Sequence, residues 1–280
     1  MIREEHQPRH WYTTNLVGVP TRWLASTGFQ QSPRPLSIAG ALASHKGLFA
    51  LLARSPDAAE AREVFSHYMS LAFGLRPDGD ATPARPATAP RGRWRAHYLK
   101  LLQGWGMDAN GAAGAVLKGW VESRFGLVPT WHREPLARFP SPAWVGYLED
   151  KAASRWHNNA IWQQLDLLYE YAQWMLRHHL RLPGTEGERV RLWRGSTRAG
   201  EQIVAGSLRE RQCVVRLNNL VSFSLSREAA DCFGDWVFET WVPLSKLLYA
   251  PGLLRSTVLQ GEGEVIALGG DYQVEARYAA

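Results

Sequence analysis

The amino-acid sequence predicts an α+β protein with a helical first half and a sheet in its last third. Up to about residue 180, apolar residues recur at helical spacing. After Gly187, the chain contains short segments in which apolar and polar residues alternate, as they do in strands. Because helices and strands occupy different parts of the chain, the pattern indicates an α+β fold and not a series of βαβ units.

The length of the chain is enough for a substantial core. It has 280 residues, of which 45% are hydrophobic. A chain of this size buries roughly three quarters of the surface that it exposes when unfolded. We expect a mainly helical N-terminal region over residues 1–150, packed on a core region over residues 151–280 that contains the sheet.

The composition argues against several classes of protein. The N-terminal stretch "MIREEHQPRH" lacks the apolar segment of a secretory signal, and no apolar run is long enough to predict a membrane span. Two cysteines, Cys213 and Cys232, are too few for a disulfide scaffold and suit a reducing compartment. The nine histidines show no ligand spacing with these cysteines. We therefore expect a cytoplasmic protein without a metal.

The charge of the chain favours acidic partners. The formal net charge is +6 and the isoelectric point is about 9.5. The densest basic stretch is "RGRWR" at residues 91–95, and no block of five or more basic residues occurs. We therefore expect an acidic protein surface as the partner and not nucleic acid.

The first half of the chain predicts a loop followed by helices. Residues 1–35 read as an extended or loop segment, and residues 76–91, with four prolines, read as a loop or linker. Asp57 is expected to cap one helix, with Glu60 three residues later. The predicted helices span residues 36–53, 57–73, 93–103, 111–124, 143–155 and 156–180.

The last third of the chain predicts strands with one short helix between them. The strand patterns are "VRLWRG", "LVSFSLS", "DWVFETWVP" and "GEGEVIALGG", and "DYQVEARY" is a candidate for a last strand. Ser226 is expected to cap the short helix "REAADCF", with Glu228 in its first turn.

Polar side chains interrupt three of these strands on faces where apolar ones belong. Arg194 ends an apolar row, Ser222 and Ser224 share one face, and Glu262 and Glu264 begin a strand that is otherwise apolar on both faces. Each group alone fits an ordinary solvent-exposed position. Since buried charges are costly unless they are paired or used, the three groups together predict a shared cleft at the ends of the strands.

The order of these motifs resembles the arginine-specific mono-ADP-ribosyltransferases. That family has an arginine on a first strand, a Ser-x-Ser strand leading into a helix, and a Glu-x-Glu strand near the C-terminus. The corresponding segments here are "LWRG", "SFS" and "EGEV", and "FETWVP" is similar to a family strand that ends in Val-Pro. Phe223 stands where the family usually has threonine. The match covers residues 187–280 and implies a split, twisted, mostly antiparallel sheet with NAD in a cleft.

A larger part of the chain resembles one family in particular, the dinitrogenase reductase ADP-ribosyltransferases, which switch off nitrogenase. The segments "NLVGVPTRWLAS", "NNAIWQQLDLLYEYAQW" and "RLWRGSTRAGEQ" carry this second resemblance. It implies NAD as co-substrate, an arginine of the nitrogenase iron protein as acceptor, and regulation through a PII-type signalling protein.

The resemblance assigns NAD binding to four residues. Arg194 would pair with the pyrophosphate, for which a bidentate guanidinium is suited. Gly195 follows it in the "LWRG" motif and belongs to the same group. Ser222 would hydrogen-bond the region of the nicotinamide ribose and help to place the catalytic carboxylate, and Ser224 is a weaker candidate for that network.

The two glutamates receive the catalytic roles. Cleavage of the bond between nicotinamide and ribose develops positive charge on the ribose, which a carboxylate stabilises. We assign this role to Glu264. A guanidinium is a poor nucleophile that must be oriented and deprotonated as it attacks, and Glu262 is assigned to that task. Phe223 and Trp236 are candidates for an aromatic slot around the nicotinamide.

The sequence leaves two other functions open. One is a different enzyme that consumes NAD, either an NAD glycohydrolase or a toxin-like arginine ADP-ribosyltransferase with a different protein target. The other is a basic nucleotide-binding module without enzymatic activity. Neither a Gly-x-Gly-x-x-Gly fingerprint between a strand and a helix nor a Walker-type phosphate loop is present.

Overall fold

The computed structural model describes residues 15–75, 96–153, 155–255, 259 and 263–279. Within these residues, helices dominate the first part of the chain and strands the last, so the predicted α+β class is confirmed. The helices are α1 (Thr21–Leu24), α2 (Thr27–Gln31), α3 (Ala41–Ser44), α4 (Lys46–Leu52), α5 (Ala58–Phe73), α6 (Tyr98–Met107), α7 (Ala112–Phe125), α8 (Pro142–Lys151), α9 (Ile161–His178), α10 (Ala199–Gln202) and α11 (Arg227–Asp231). The strands are β1 (Trp131–His132), β2 (Glu134–Pro135), β3 (Thr185–Glu186), β4 (Arg189–Ser196), β5 (Ile203–Gly206), β6 (Gln212–Ser224), β7 (Trp236–Pro243), β8 (Leu247–Tyr249) and β9 (Glu264–Tyr278).

The segment before residue 35 is not the loop that the sequence predicted. It contains the short helices α1 and α2, of which α2 begins with Ser26 accepting a hydrogen bond from the backbone N–H of Phe29. Leu24 and Phe29 are completely buried. The helical turns bring these apolar side chains to one side, where burial stabilises helices too short for a periodic sequence pattern.

The first long helix of the prediction is also wrong in its extent. Helix α3 begins only after Gly40, which has a φ of 84°, a left-handed conformation that glycine adopts easily. A further break at His45 separates α3 from α4. By contrast, α5 begins as predicted, because the Asp57 carboxylate accepts hydrogen bonds from the backbone N–H groups of Ala59 and Glu60.

The longest helix is central, as predicted, but shorter at its start. Helix α9 begins at Ile161 because Asn159 and Ala160 have φ values of 56° and 52°, outside the helical range. Helices α7 and α8 lie close to their predicted positions. The predicted loop over 76–91 and the first residues of the predicted helix 93–103 lie outside the described residues.

The strands of the main sheet are antiparallel and follow the order β3-β4-β7-β9-β6-β5, with β8 paired to β9. Strand β4 also pairs with β6, at Trp193 and Ser224. Strands β4, β7, β9 and β6 therefore form a closed ring of neighbours. This ring encloses an apolar core and brings the ends of β4, β6 and β9 together.

Strands β6 and β9 are longer than the sequence predicted. The segments "EVIALGG" and "DYQVEARY" belong to one strand, β9, which passes through Gly269 opposite an irregularity in β6. A Cβ atom on Gly269 would collide with the carbonyl of Asn218, so only glycine allows this approach. Strands β5 and β8, which carry no clear alternation, were not predicted.

A glutamine from the N-terminal segment fills a split in the sheet. Strands β7 and β9 are paired only as far as Glu239. Beyond this point, the Gln30 amide donates to Thr240 Oγ1 at 2.8 Å and to the carbonyls of Trp241 and Gln273. The Gln30 amide oxygen accepts from the backbone N–H of Gln273 at 2.8 Å. These bonds replace the strand pairing that is missing there.

Two apolar cores lie on opposite faces of strand β9. Ile266 and Leu268 belong to the core that the helices form, whereas Val265 and Ala267 belong to the core inside the sheet. This confirms that β9 is a central strand that is buried on both faces. Among the described helices, none combines the length and the apolar character needed to cross a membrane.

Candidate active site

The guanidinium of Arg194 lies at the end of the inner face of β4. Val190 and Leu192 precede it on this face and are completely buried in the sheet core. The Arg194 Nη1 atom donates a 2.7 Å hydrogen bond to the backbone carbonyl of Ser222. Its Nε atom is buried and has no hydrogen-bond partner. A cation so placed offers unused donors to an anionic ligand.

Arg194 also interacts electrostatically with Glu264 of β9. Burial lowers the pKa of the Arg194 guanidinium below its ordinary value, and the nearby carboxylate of Glu264 opposes this shift. Arginine stays protonated in spite of such shifts because its intrinsic pKa lies far above neutral pH. The site therefore holds a positive and a negative group at the ends of two strands.

The hydroxyl of Ser222 connects β6 to β9. Ser222 Oγ donates a hydrogen bond of 2.5 Å to Oε1 of Glu264, the first residue of β9. The residue opposite Ser222 in the ladder is Ile266, and Glu264 is opposite Ser224. Ser222 thus contacts Arg194 through its carbonyl and Glu264 through its side chain. The structure brings these three predicted residues together.

The other candidate residues lie around this group. Ser224 is buried and accepts a hydrogen bond from the backbone N–H of Ser226 at 3.0 Å. Ser226 caps α11 as predicted, because its hydroxyl accepts from the backbone N–H of Ala229. A Cβ atom on Gly195 would collide with the carbonyl of Ala230, so this glycine lets α11 pack against β4. Its assignment to NAD binding stays a prediction.

One of the two glutamates cannot be placed. Glu262 lies outside the described residues, so its assignment to the acceptor arginine stays a prediction. Glu264 does lie on the same face of β9 as the buried Ile266, as the alternation predicted. The strand therefore begins with a carboxylate on the face that packs against the helices.

Sequence reasoning missed the contribution of helix α6 to this site. The indole N–H of Trp105 donates to Ser222 Oγ at 2.8 Å. A Cβ added to the following residue, Gly106, would be in van der Waals contact with Glu264 Oε2, at 3.8 Å. The signal in the sequence is a tryptophan between two glycines, "GWG", inside a helix, where glycine lowers helix stability.

A buried tyrosine also lies beside the catalytic candidate. The pKa of the Tyr249 hydroxyl is raised by burial and by the negative charge of Glu264, while a hydrogen bond with the backbone of Leu259 opposes the shift. Tyr249 belongs to β8 and pairs with Ile266 in the sheet. The surroundings of Glu264 therefore include helix α6, strands β6 and β8, and Leu259.

The two aromatic residues suggested for the nicotinamide slot lie on different strands, and their contact with nicotinamide stays a prediction. Phe223 is buried in the sheet core, on the face opposite Ser222, and its ring contacts Tyr272 edge-on. Trp236 packs edge-on against Tyr278 at the start of β7, where it pairs with Ser196, two residues beyond Arg194. The alternation of side chains along β6 explains the first result, because neighbours in a strand point to opposite faces.

This arrangement combines a buried donor suited to an anion with a carboxylate suited to a developing positive charge. The unpartnered Nε of Arg194 is the orphaned buried donor that a phosphate oxygen would satisfy. The Glu264 carboxylate can stabilise a developing positive charge. Within the described part of the chain, no group of three or more His, Cys, Asp or Glu side chains is placed to hold a metal.

Comparison with known proteins identifies the relatives of the chain. The family model for dinitrogenase reductase ADP-ribosyltransferase (DRAT) matches residues 14–276. A protein of Rhodospirillum rubrum named NAD(+)--dinitrogen-reductase ADP-D-ribosyltransferase is 48% identical over 274 residues, which cover 98% of each chain. No solved structure gives a significant match.

Proposed function

Because this chain belongs to the dinitrogenase reductase ADP-ribosyltransferase family, we propose that it transfers ADP-ribose from NAD to an arginine side chain of dinitrogen reductase. Dinitrogen reductase is the iron protein of nitrogenase, so the modification would switch off nitrogen fixation reversibly. The convergence of Arg194, Ser222 and Glu264 is the observation that carries the proposal.

Binding of NAD would depend first on Arg194. Its guanidinium is anchored by one hydrogen bond to the Ser222 carbonyl and keeps a buried Nε–H without a partner. A pyrophosphate supplies acceptor oxygens with the negative charge and the spacing that such a donor set prefers. The anchored guanidinium is pre-organised, so little entropy is lost when it binds the ligand.

The chemical step would depend on Glu264. NAD supplies a glycosidic bond whose cleavage places positive charge on the ribose. The carboxylate of Glu264, fixed by the Ser222 hydroxyl, would lie against that charge and lower the barrier electrostatically. Ser222 would act by holding this carboxylate in one orientation, which preserves the alignment of the reacting groups.

Transfer to arginine adds a requirement on the acceptor side. The electron pair of the broken bond leaves with nicotinamide, one guanidine nitrogen bonds to the ribose C1′, and the guanidinium loses a proton. We assign the orientation of the acceptor and the removal of this proton to Glu262, as the Glu-x-Glu spacing suggests. Regulation by a PII-type signalling protein and a cytoplasmic location complete the proposal, and both stay predictions.

The helical region would form one wall of the NAD cleft. Trp105 and Gly106 of α6 reach the Ser222–Glu264 pair, which supports the idea that residues 1–150 pack on a catalytic region over residues 151–280. The basic residues of the chain would favour the acidic surface of a protein substrate.

A labelling experiment separates this function from the alternatives. The purified chain is incubated with dinitrogen reductase and with NAD that carries a label in its adenosine part. We expect the label to appear on dinitrogen reductase, and peptide mapping to place it on an arginine. Release of labelled ADP-ribose without protein labelling would indicate an NAD glycohydrolase instead. NAD that stays intact would indicate a binding module.

A further inference from the structure

We propose that Trp105 is a positioning residue for the transfer reaction. By donating its indole N–H to Ser222 Oγ, it directs the Ser222 hydroxyl proton toward Glu264 and so holds the carboxylate in a single orientation. The role in catalysis rests on the proposed function, whereas the role in orientation rests on geometry alone.

The direction of the two hydrogen bonds follows from the chemistry of the groups. The indole N–H can only donate, and a carboxylate can only accept. A serine hydroxyl has one proton to donate and lone pairs to accept with. Since Trp105 occupies an acceptor position of Ser222, the hydroxyl proton is left for Glu264. The resulting bond of 2.5 Å has the length of a strong, charge-assisted hydrogen bond.

The surroundings of the indole hold it rigidly enough to fix these two hydrogen bonds. Trp105 is 4% exposed and packs in the helical core. The glycines on either side bring α6 close to its neighbours, because a Cβ on Gly104 would lie 2.6 Å from Ala113 Cβ and one on Gly106 would collide with Leu259. The donor therefore has little freedom to follow Ser222 if that side chain rotates.

The chain offers a matched control for a buried indole donor. Trp120 is completely buried in the same core, and its N–H donates to Asp166 Oδ1 at 2.7 Å. Asp166 lies on α9, and its carboxylate also forms an ion pair with Arg124 of α7. Loss of the Trp120 N–H removes a bond of similar length and burial without changing a contact of Ser222 or Glu264.

The test replaces Trp105 with β-(3-benzothienyl)alanine, which keeps the shape of the indole but has sulfur in place of the N–H. We expect kcat for ADP-ribose transfer to fall by up to about 10²-fold, with KM for NAD unchanged, because the carboxylate loses alignment while Arg194 still binds the dinucleotide. Trp105→Phe, which also lacks the N–H, is expected to show the same division between kcat and KM. The same replacement at Trp120 should leave both constants as in the wild type.

A crystal structure of the benzothienyl variant supplies a readout that does not depend on activity. We expect Glu264 to adopt more than one orientation, and the hydrogen bond between the Ser222 hydroxyl and Glu264 to be broken in part of the molecules. A variant with full kcat, or one in which the Ser222–Glu264 bond is unchanged, would overturn the proposal. If the wild-type chain itself transfers no ADP-ribose, the proposed function fails, and the crystal structure still decides the role of Trp105.

Discussion

The hydroxyl of Ser222 donates a 2.5 Å hydrogen bond to the carboxylate of Glu264, although 42 positions separate the two residues in the chain. The bond joins the C-terminal end of β6 to the first residue of β9. The Ser222 carbonyl accepts from Arg194 at the end of β4. A single serine therefore connects a cation and an anion from two other strands.

Replacement of Glu264 by glutamine tests the electrostatic role of this carboxylate. The Glu264→Gln variant keeps an acceptor for the Ser222 hydroxyl but lacks the negative charge. We expect transfer activity to fall by about 10²-fold to 10³-fold or more, since groups that stabilise charge in a transition state contribute on this scale. Label transfer from NAD to dinitrogen reductase measures the effect, and circular dichroism checks the fold.

The matched control for this change is Glu275→Gln. Glu275 lies on the same strand, and its partner Arg277 is two residues further along β9. The control should keep full activity. Equal losses in the two variants would show that the charge of Glu264 has no special role.

Replacement of Arg194 by lysine tests the binding of the dinucleotide. A lysine has neither the planar fork nor the reach to bind the Ser222 carbonyl and a phosphate at once. We expect KM for NAD in the Arg194→Lys variant to rise at least about tenfold, the equivalent of one lost charge-assisted hydrogen bond. Steady-state kinetics with varied NAD measures it. Arg191→Lys, on the outer face of β4, serves as the control, and an unchanged KM in the Arg194 variant would refute the assignment.

The two serines of the Ser-x-Ser motif are expected to differ. Ser222→Ala removes the donor to Glu264 and the acceptor of Trp105. We expect this variant to lose up to about 10²-fold in kcat, because the carboxylate is no longer held. Ser224→Ala should lose less, since Ser224 accepts from the backbone of Ser226 at the start of α11. A larger loss for Ser224→Ala would reverse the assignment.

The free energy of unfolding is expected to depend on pH through the buried side chain of Lys246. Burial lowers the pKa of Lys246 from 10.5 to about 7, although Asp271 opposes the shift. Between these pH values, the unfolded chain binds a proton that the folded chain does not bind. The contribution of Lys246 to the free energy of unfolding therefore rises with pH in this interval.

The variant Lys246→Met isolates this contribution, because methionine fills similar space without a charge. Urea unfolding at several pH values above 7 gives the free energy of unfolding for both proteins. We expect the wild type to gain stability relative to the variant as the pH rises. A difference that is constant with pH would contradict the lowered pKa.

Much of the site could be predicted because it depends on period and order along the chain. The alternation places Arg194 on the inner face of β4, and it places Ser222 and Glu264 on the faces of β6 and β9 that pack against the helices; the structure brings the three residues together at the strand ends. The alternation also places Phe223 on the face of β6 opposite Ser222, and the structure shows its ring in the sheet core.

Other features depend on tertiary contacts that no local pattern reveals. Trp105 reaches Ser222 across 117 positions, and Gln30 fills the split between β7 and β9 across more than 200. Helices α1 and α2 are short and stable only through burial, so their sequence carries little periodicity. Helices α3 and α9 begin abruptly because the residues before them, Gly40 and Ala160, have a left-handed backbone conformation.

A crystal structure of the chain with NAD bound is the decisive test of the proposed active site. We expect one NAD molecule to contact Arg194, Ser222 and Glu264 together, with the Arg194 guanidinium on the pyrophosphate. NAD bound elsewhere, with these three side chains unchanged and away from it, would refute the proposed site.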